Sequence, residues 1–291
     1  MIRKATELDI QRIKYIWDRS FDDSLNYVDF LLDHHVVTPD RILVYEEENT
    51  VYSICMMIDT LFSYKEEQIP VVYLYGCATL AEAEHRGYMT KLIARAEQIA
   101  ESEGKRMSFL VPGSRMLFGF YKKMGYNADL PKRILVLRAG MLDGTESSDV
   151  PLVYDMMTAE EMYAIRESYL YETPHIEWKP DQLDYHLADG IAYGEHIVSY
   201  VGKEGKAYIF YGIERRKMYI REIMGTTEKA SMVLLAQLIN DQNPKKVEIE
   251  LPAVGGLFTY EGNVEKYGMS KTFGSAKPLS SLHPYMNLML E

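Results

Sequence analysis

The hydrophobic positions of the first half follow a helical period in some segments and form strand-like runs in others. Thr6-Glu7-Leu8-Asp9 fits a capping box, and apolar residues follow it at helical spacing, so a helix is predicted from near Leu8. A second helix is predicted over residues 25–34. The pattern then predicts three strands, "RILVYEEE", "TVYSICMMID" and "VVYLYGCATL", followed by a helix over Met89–Glu103. A strand "RMSFLVP", a short helix "SRMLFGFYKKM" and a final strand "RILVLR" complete the first half.

The same order of elements begins again after a polar, turn-rich segment, "AGMLDGTESSDVP". A second capping box starts at Thr158, and Asp181 and His186 stand at the same offset from Asp29 and His34 as Thr158 does from Thr6. "KRMSFLVP" is echoed later by "KKVEIELP". "YKKMGY" is echoed in turn by "VEKYGM". Four matches in one order indicate an internal duplication. We therefore predict two domains, residues 1–140 and 152–291, joined by a linker at 141–151.

The charge balance excludes several classes of partner. The 291 residues carry 32 Lys and Arg against 43 Asp and Glu, a formal net charge of −11, which disfavours nucleic acid and anionic membranes. The amino-terminal segment does not resemble a secretory signal, so we expect a cytoplasmic protein. The two cysteines, Cys55 and Cys77, have no partner at ligand spacing, so neither a disulfide nor a metal site is predicted.

The loop "EHRGYM", residues 84–89, stands between a predicted strand and a predicted helix. The unpaired amides of a helix's first turn present partial positive charge at one point. Gly87 would let an anion approach the backbone, and His85 and Arg86 could add donors beside it. An isolated Arg-Gly pair is more often an ordinary turn, so the loop alone leaves both interpretations open.

With this loop in place, the order of elements resembles the GCN5-related N-acetyltransferase (GNAT) superfamily. The superfamily's signature is Gln or Arg, two residues, Gly, one residue, then Gly or Ala. Here Gly87 fits, but Glu84 and Met89 depart from the first and last positions. Both departures, and the duplication, resemble the tandem-domain acetyltransferases of the enhanced intracellular survival type. Members of that group continue into a third, sterol-carrier-like domain that this sequence lacks.

The resemblance implies a fold, a cosubstrate and roles for individual residues. It implies an α/β (α+β) fold of two tandem GNAT-like domains, each with a mixed central sheet flanked by helices. It implies that the first domain transfers an acetyl group from acetyl-coenzyme A to a primary amine, which we expect on a small cationic acceptor. The implied cofactor-binding residues are Cys77, Ala78 and Thr79 for the pantetheine arm, and His85, Arg86, Gly87, Tyr88, Met89 and Thr90 for the pyrophosphate.

Tyr121, in "GFYKKMGY", matches the family's tyrosine that protonates the departing thiolate. It could also be one more core aromatic. For the base, the resemblance points to the terminal carboxylate of Glu291, although a solvated chain end is an equally good interpretation. Other acidic candidates, which could also form a solvated face, are Asp22, Asp23, Asp29 and Asp33.

The second copy has neither an Arg-Gly nor the tyrosine, which Val264 replaces when Gly125 is matched to Gly268. We therefore expect it not to bind the cofactor, and we expect the apolar tail "LSSLHPYMNLMLE" to dock on the protein. The alternative to an enzyme is a non-catalytic module that binds or senses acyl-coenzyme A and acts through a protein partner. The sequence leaves open whether the chain forms a homo-oligomer.

Overall fold

The structure is a computed structural model that describes residues 1–21, 27–138, 150–258, 261–274 and 282–288. The chain divides into two compact units that are not consecutive in sequence. The first comprises Met1–Phe62, Gln68–Asp129 and Gly268–Ser281, and the second comprises Ser63–Glu67, Leu130–Tyr267 and Leu282–Glu291. Most of the predicted linker lies outside the described residues, so the domain boundary placed there stays a prediction.

The first unit is built on a mixed sheet. Its strands and helices, in chain order, are β1 (Ile2–Lys4), α1 (Ile10–Asp18), α2 (Tyr27–Asp33), β2 (Ile42–Glu47), β3 (Thr50–Tyr64), β4 (Glu67–Thr79), α3 (Tyr88–Ser102), β5 (Met107–Leu110), α4 (Arg115–Lys123) and the start of β6 (Asn127–Arg138). The end of β13 (Asn263–Thr272) completes it. The strand order is β1-β2-β3-β4-β5-β13, with β4 and β5 parallel and β5 and β13 antiparallel.

Strand β4 separates from β5 part of the way along its length. The two strands pair at Val72 with Ser108 and at Tyr73 with Phe109, whereas β4 runs on to Thr79. Between these regions Gly76 has φ +55°, and a Cβ there would lie 2.4 Å from the Trp17 ring. A side chain at this position would therefore meet both an unfavourable backbone conformation and a buried aromatic ring. Glycine lets β4 bend beside α1.

The second unit repeats a mixed sheet with helices. Its further elements are β7 (Val153–Tyr154), α5 (Ala159–Leu170), β8 (His175–Glu177), α6 (Pro180–Ala192), β9 (His196–Gly202), β10 (Gly205–Glu214), β11 (Lys217–Gly225), α7 (Glu228–Gln242) and β12 (Lys246–Pro252). The strand order is β6-β12-β11-β10-β9-β7, in which β11 and β12 are parallel and the other pairs antiparallel. Apolar residues of α7 pack on this sheet.

A buried polar network lies within the second unit. Arg166 and Glu222 are both fully buried and form an ion pair, with 3.3 Å between Arg166 Nε and Glu222 Oε1. The hydroxyls of Tyr208 and Tyr285 donate to the Glu222 carboxylate at 2.5 and 3.1 Å. Tyr285 belongs to the predicted docking tail, whose residues 285–288 are buried. The prediction that the tail docks is confirmed for this segment.

The fold class predicted from the sequence is confirmed, since mixed sheets flanked by helices form both units. Both predicted capping boxes are present. The Thr6 amide donates to the Asp9 carboxylate at 2.8 Å, and the Thr158 amide donates to Glu161 at 3.1 Å. The first box opens a short 3₁₀ turn that leads into α1. Among the described helices, none is long and apolar enough to cross a membrane.

Burial of His186 on α6 makes the stability of the second unit sensitive to acid. Burial, with a smaller contribution from the positive charges of Arg166 and Arg221, lowers the pKa of His186 to about 3. The unfolded chain would bind this proton near pH 6.5, so the stabilisation is complete above pH 6.5 and is lost as the pH falls towards 3. We expect the free energy of unfolding to fall by roughly 2 kcal/mol from this residue between pH 7 and pH 5.

Denaturant unfolding of the wild type and of His186→Phe at both pH values measures this contribution. The Phe side chain preserves the aromatic packing against Trp178 and cannot be protonated. The pH dependence should shrink in that variant and stay unchanged in His85→Gln, whose ring is exposed. An equal pH dependence in all three proteins would contradict the assignment.

Candidate acetyl-transfer site

The end of β4 is held on β3 by hydrogen bonds on one side. The buried Ser53 hydroxyl lies 2.9 Å from the Ala78 carbonyl and 2.7 Å from the Thr79 hydroxyl. The Leu80 amide donates to the Tyr52 carbonyl at 2.9 Å. Alternate residues of an antiparallel pair turn their main-chain groups towards the partner, so those of Cys77 and Thr79 point away from β3. They face the side from which β5 has separated.

The predicted loop follows directly. A 3₁₀ turn at Ala81–Ala83 ends β4, and His85 and Gly87 both have left-handed backbone conformations, with φ of +61° and +76°. Gly87 is the N-cap of α3, and no side chain caps this helix. A Cβ at Gly87 would meet no atom within 4 Å. The first turn of α3 therefore presents its amides to open space, which is the arrangement that binds phosphate groups.

Side chains around the loop fix its shape. The Tyr88 hydroxyl donates to the Glu47 carboxylate at 2.6 Å, and its ring stacks on Tyr45 with centroids 3.9 Å apart. The bond to Glu47 raises the pKa of Tyr88. The Arg86 guanidinium donates to the Glu82 carbonyl at 3.0 Å and lies 3.5 Å from Glu47. Tyr88 thus anchors the start of α3, while Arg86 remains largely exposed.

The two departures from the family signature have a simple structural context. The side chain of Met89 packs against the core cluster of the first unit and leaves the main-chain amides clear. Glu84 is exposed, and its carboxylate lies 4.0 Å from the His85 ring. Neither residue fills the space in front of Gly87. His85 and Thr90 are exposed, so all six predicted loop residues, 85–90, contribute to one surface or to its support.

Tyr121 is brought to the strand end. It lies on α4, is 5% exposed, and belongs to the core cluster against which Cys77 packs. Burial, followed by the neighbouring Cys77 and Cys55, raises the pKa of Tyr121 well above its ordinary value. The phenol therefore keeps its proton at neutral pH, as a proton donor must. The residue is at once part of the core and a neighbour of Cys77.

The acidic candidates are placed less favourably. Asp29 forms an ion pair with Lys14, which occupies its carboxylate, and Asp33 is exposed. Asp22, Asp23 and Glu291 lie outside the described residues.

The corresponding helix start in the second unit is closed by its own side chains. The Thr227 hydroxyl caps α7 by accepting from the Ala230 amide at 3.0 Å. A Cβ on Gly225 would lie 2.4 Å from the Ser231 hydroxyl, so this turn is crowded where the Gly87 turn is open. Glu228 adds a negative charge to the first turn of α7. At this helix start, one amide is therefore already bonded to a side chain, and the turn lacks the space that an anion needs.

Val264 of the second unit does not occupy a helix. It lies on β13 and is 60% exposed, whereas Tyr121 is buried on α4. Between β12 and β13, the described residues include no helix.

Three residues that support the site were not singled out from the sequence. Ser53 fixes the strand end, Glu47 holds Tyr88, and Gly76 permits the bend in β4. Of these, only Gly76 had a recognisable signal, because a glycine inside an apolar strand pattern indicates a bulge or a close backbone approach. Ser53 and Glu47 act through partners that are far away in sequence.

Comparisons with solved structures support this fold. A probable N-acyltransferase from Enterococcus faecalis V583 matches with a TM-score of 0.76 and 15% identity, covering 94% of this chain and 72% of the other. A GCN5-related N-acetyltransferase from Kribbella flavida matches at 0.73 and 15%, covering 94% and 70%. Eis1 from Mycobacterium abscessus matches at 0.72 and 12%, covering 94% and 73%. At these identities the likeness shows the fold alone.

Sequence comparison adds the family of the first part of the chain. No curated protein matched. The family model described as an acetyltransferase (GNAT) domain matches residues 1–128, which include the strand end, the Gly87 loop and Tyr121. Residues 1–128, somewhat less than half of the chain, are therefore similar to an acetyltransferase domain of the GNAT superfamily.

Proposed function

We propose that the first unit binds acetyl-coenzyme A along the free edge of β4 and at the start of α3. In this proposal it transfers the acetyl group to a primary amine. The observation that carries the proposal is the uncapped helix start at Gly87, which opens into free space directly after a strand end with outward-facing main-chain groups. The pyrophosphate would accept from the amides of residues 85–90, and the pantetheine arm would pair with the main chain of Cys77 and Thr79.

In the transfer, the amine nitrogen attacks the thioester carbonyl carbon, and the carbon–sulfur bond breaks. Tyr121 would donate its proton to the departing sulfur. Burial raises the pKa of Tyr121, so it would stay protonated until the thiolate develops, and its packing in the cluster that Cys77 also contacts supports a position near the departing sulfur. Holding both reactants together supplies much of the rate, so few reactive side chains are needed.

We assign the acceptor to the class of small cationic amines. The net charge of −11 gives the chain a long-range attraction for cations. Asp29 is not our choice for the base that deprotonates the amine, because Lys14 neutralises it. Glu291 remains our candidate for that role.

The finer family assignment is also a proposal. The loop departures at Glu84 and Met89, and the repeated mixed sheet of the second unit, favour the enhanced intracellular survival type. The capped, crowded start of α7 supports a structural role for the second unit, which would bind no cofactor.

A negative charge introduced at position 87 tests whether the loop binds the pyrophosphate. Asn and Asp both tolerate the left-handed backbone and have nearly the same shape, so they separate charge from steric effects. We expect Gly87→Asp to bind acetyl-coenzyme A roughly 10- to 100-fold more weakly than Gly87→Asn, because a carboxylate would repel the phosphates. Calorimetric titration measures both affinities.

The control for this experiment is Glu228→Gln, which changes the charge at the start of α7 in the second unit. It should bind acetyl-coenzyme A as the wild type does. Equal affinities for Gly87→Asn and Gly87→Asp would show that the pyrophosphate does not bind at this loop. No binding to any of the proteins would reject both the enzyme and the acyl-coenzyme A sensor.

The variant Tyr121→Phe tests the proposed role of Tyr121 as the general acid that protonates the departing thiolate. We expect the turnover number with a polyamine or aminoglycoside acceptor to fall by roughly 100-fold or more, since general acid catalysis supplies about that factor. The affinity for acetyl-coenzyme A should stay within a small factor, because the Phe ring preserves the packing. Release of free thiol under steady-state conditions measures the rate.

Tyr126→Phe is the matched control, since Tyr126 packs against Tyr121 but donates or accepts at Ser108, 2.8 Å away. Its rate should stay close to that of the wild type. Equal loss in both variants would make Tyr121 a packing residue only. Binding of acetyl-coenzyme A without acetylation of any acceptor, in the wild type as in Tyr121→Phe, would favour the non-catalytic module.

A further inference from the structure

The two cysteines of the chain lie side by side on neighbouring strands of the first unit. The Sγ atoms of Cys55 on β3 and Cys77 on β4 are 3.6 Å apart, and both residues are free thiols. Their spacing in the sequence predicts no disulfide, but the fold brings them together. Neither residue has a Cys or His at ligand spacing in the sequence, so this contact depends on the pairing of the two strands.

The register of the two strands makes this pair suitable for a covalent bond. Counting from the bond between Leu80 and Tyr52, Cys77 lies opposite Cys55 at a position without main-chain hydrogen bonds between the two. Residues at such positions have Cα atoms about 4.5 Å apart, which falls within the range of about 4.4–6.8 Å found for disulfides. A disulfide needs the sulfurs at about 2.05 Å, a change that side-chain rotation can supply.

The two thiols differ in accessibility. Cys77, near the end of β4, is half-buried, whereas Cys55 is fully buried. A hydrogen bond from Cys77, together with burial, raises the pKa of the Cys55 thiol. An oxidant would therefore reach Cys77 first, and Cys55 is close enough to act as the resolving thiol.

We propose that Cys55 and Cys77 are a redox modification site that a peroxide converts to an intramolecular disulfide. The Cys77 thiolate attacks one peroxide oxygen, the oxygen–oxygen bond breaks, and water leaves after protonation, which gives a sulfenic acid. The Cys55 sulfur then attacks the Cys77 sulfur, the sulfur–sulfur bond forms, and the sulfur–oxygen bond of the sulfenic acid breaks. The hydroxide that leaves takes up the Cys55 proton as the second water. Two thiols lose two electrons in total, and the peroxide gains them.

The test exposes the reduced full-length protein to hydrogen peroxide, blocks remaining thiols with N-ethylmaleimide under denaturing conditions, and digests the product with trypsin. Cleavage after Arg41, Lys65 and Arg86 places one cysteine in peptide 42–65 and the other in peptide 66–86. We expect peroxide to link these two peptides through a disulfide and to abolish N-ethylmaleimide labelling of both cysteines. Reduction with dithiothreitol should separate the peptides and restore the labelling.

Cys55→Ser and Cys77→Ser provide the matched controls. Cys55→Ser should leave Cys77 to oxidise beyond the sulfenic acid, because its resolving partner is gone, and Cys77→Ser should leave Cys55 unreacted. The proposal is overturned if wild-type Cys77 accumulates as sulfinic acid while Cys55 stays fully blockable, or if the disulfide links two chains instead of peptides of one.

A further version of this oxidation experiment, with acetyl-coenzyme A present, rests on the proposed function. Acetyl-coenzyme A carries no free thiol and would cover Cys77 when bound at the strand end, so it should slow disulfide formation in the wild type but not in Gly87→Asp. Disulfide formation at the same rate with and without acetyl-coenzyme A would refute the proposed cofactor position and leave the redox site intact.

Discussion

The candidate site depends on main-chain groups for which the described part of the chain supplies no side-chain cap and no neighbouring strand. Every helix begins with amides that its own hydrogen bonds cannot satisfy, and most helices cover them with a side chain or with water. Here α3 begins at a left-handed glycine with no side-chain cap, and β4 leaves its neighbour before reaching that point. Both features present polar main-chain groups to the same side of the first unit, and the ligand that we propose, with phosphates and an amide-containing arm, would satisfy both.

Comparison of the two helix starts shows which features belong to the shared fold and which belong to the candidate site. In both units a strand leads through a short turn to a helix, α3 or α7, of fifteen residues. In the second unit, Thr227 supplies a cap and Glu228 supplies negative charge. A hydroxyl that satisfies the amides stabilises a helix by roughly 1 kcal/mol. The same hydroxyl occupies the Ala230 amide, which a ligand could otherwise use, so the two helix starts differ in the donors that they offer.

The sequence predicted the elements better than their assembly. Hydrophobic period, capping boxes and the glycine after a strand are local signals, and they placed α3, its preceding loop and Tyr121 correctly along the chain. The assignment of residues 268–281 to the first unit could not be predicted, because only contacts far apart in sequence determine it. The same holds for Ser53 beneath Ala78 and for Cys55 beside Cys77. Their partners are 25 and 22 residues away, on the other strand of a long hairpin.

The polar groups of the second unit are used for its architecture. Arg166 and Glu222 are fully buried, and an isolated charge in that position would be strongly unfavourable, so each needs the other. Two tyrosine hydroxyls complete the carboxylate's hydrogen bonds, and one of them, from Tyr285, comes from the tail. The Trp178 indole donates to the Asn287 carbonyl at 2.8 Å and holds the next turn of the same segment. Because Glu222 is already satisfied by these protein groups, it has little capacity left for a ligand. This buried chemistry therefore fixes the tail on the second unit.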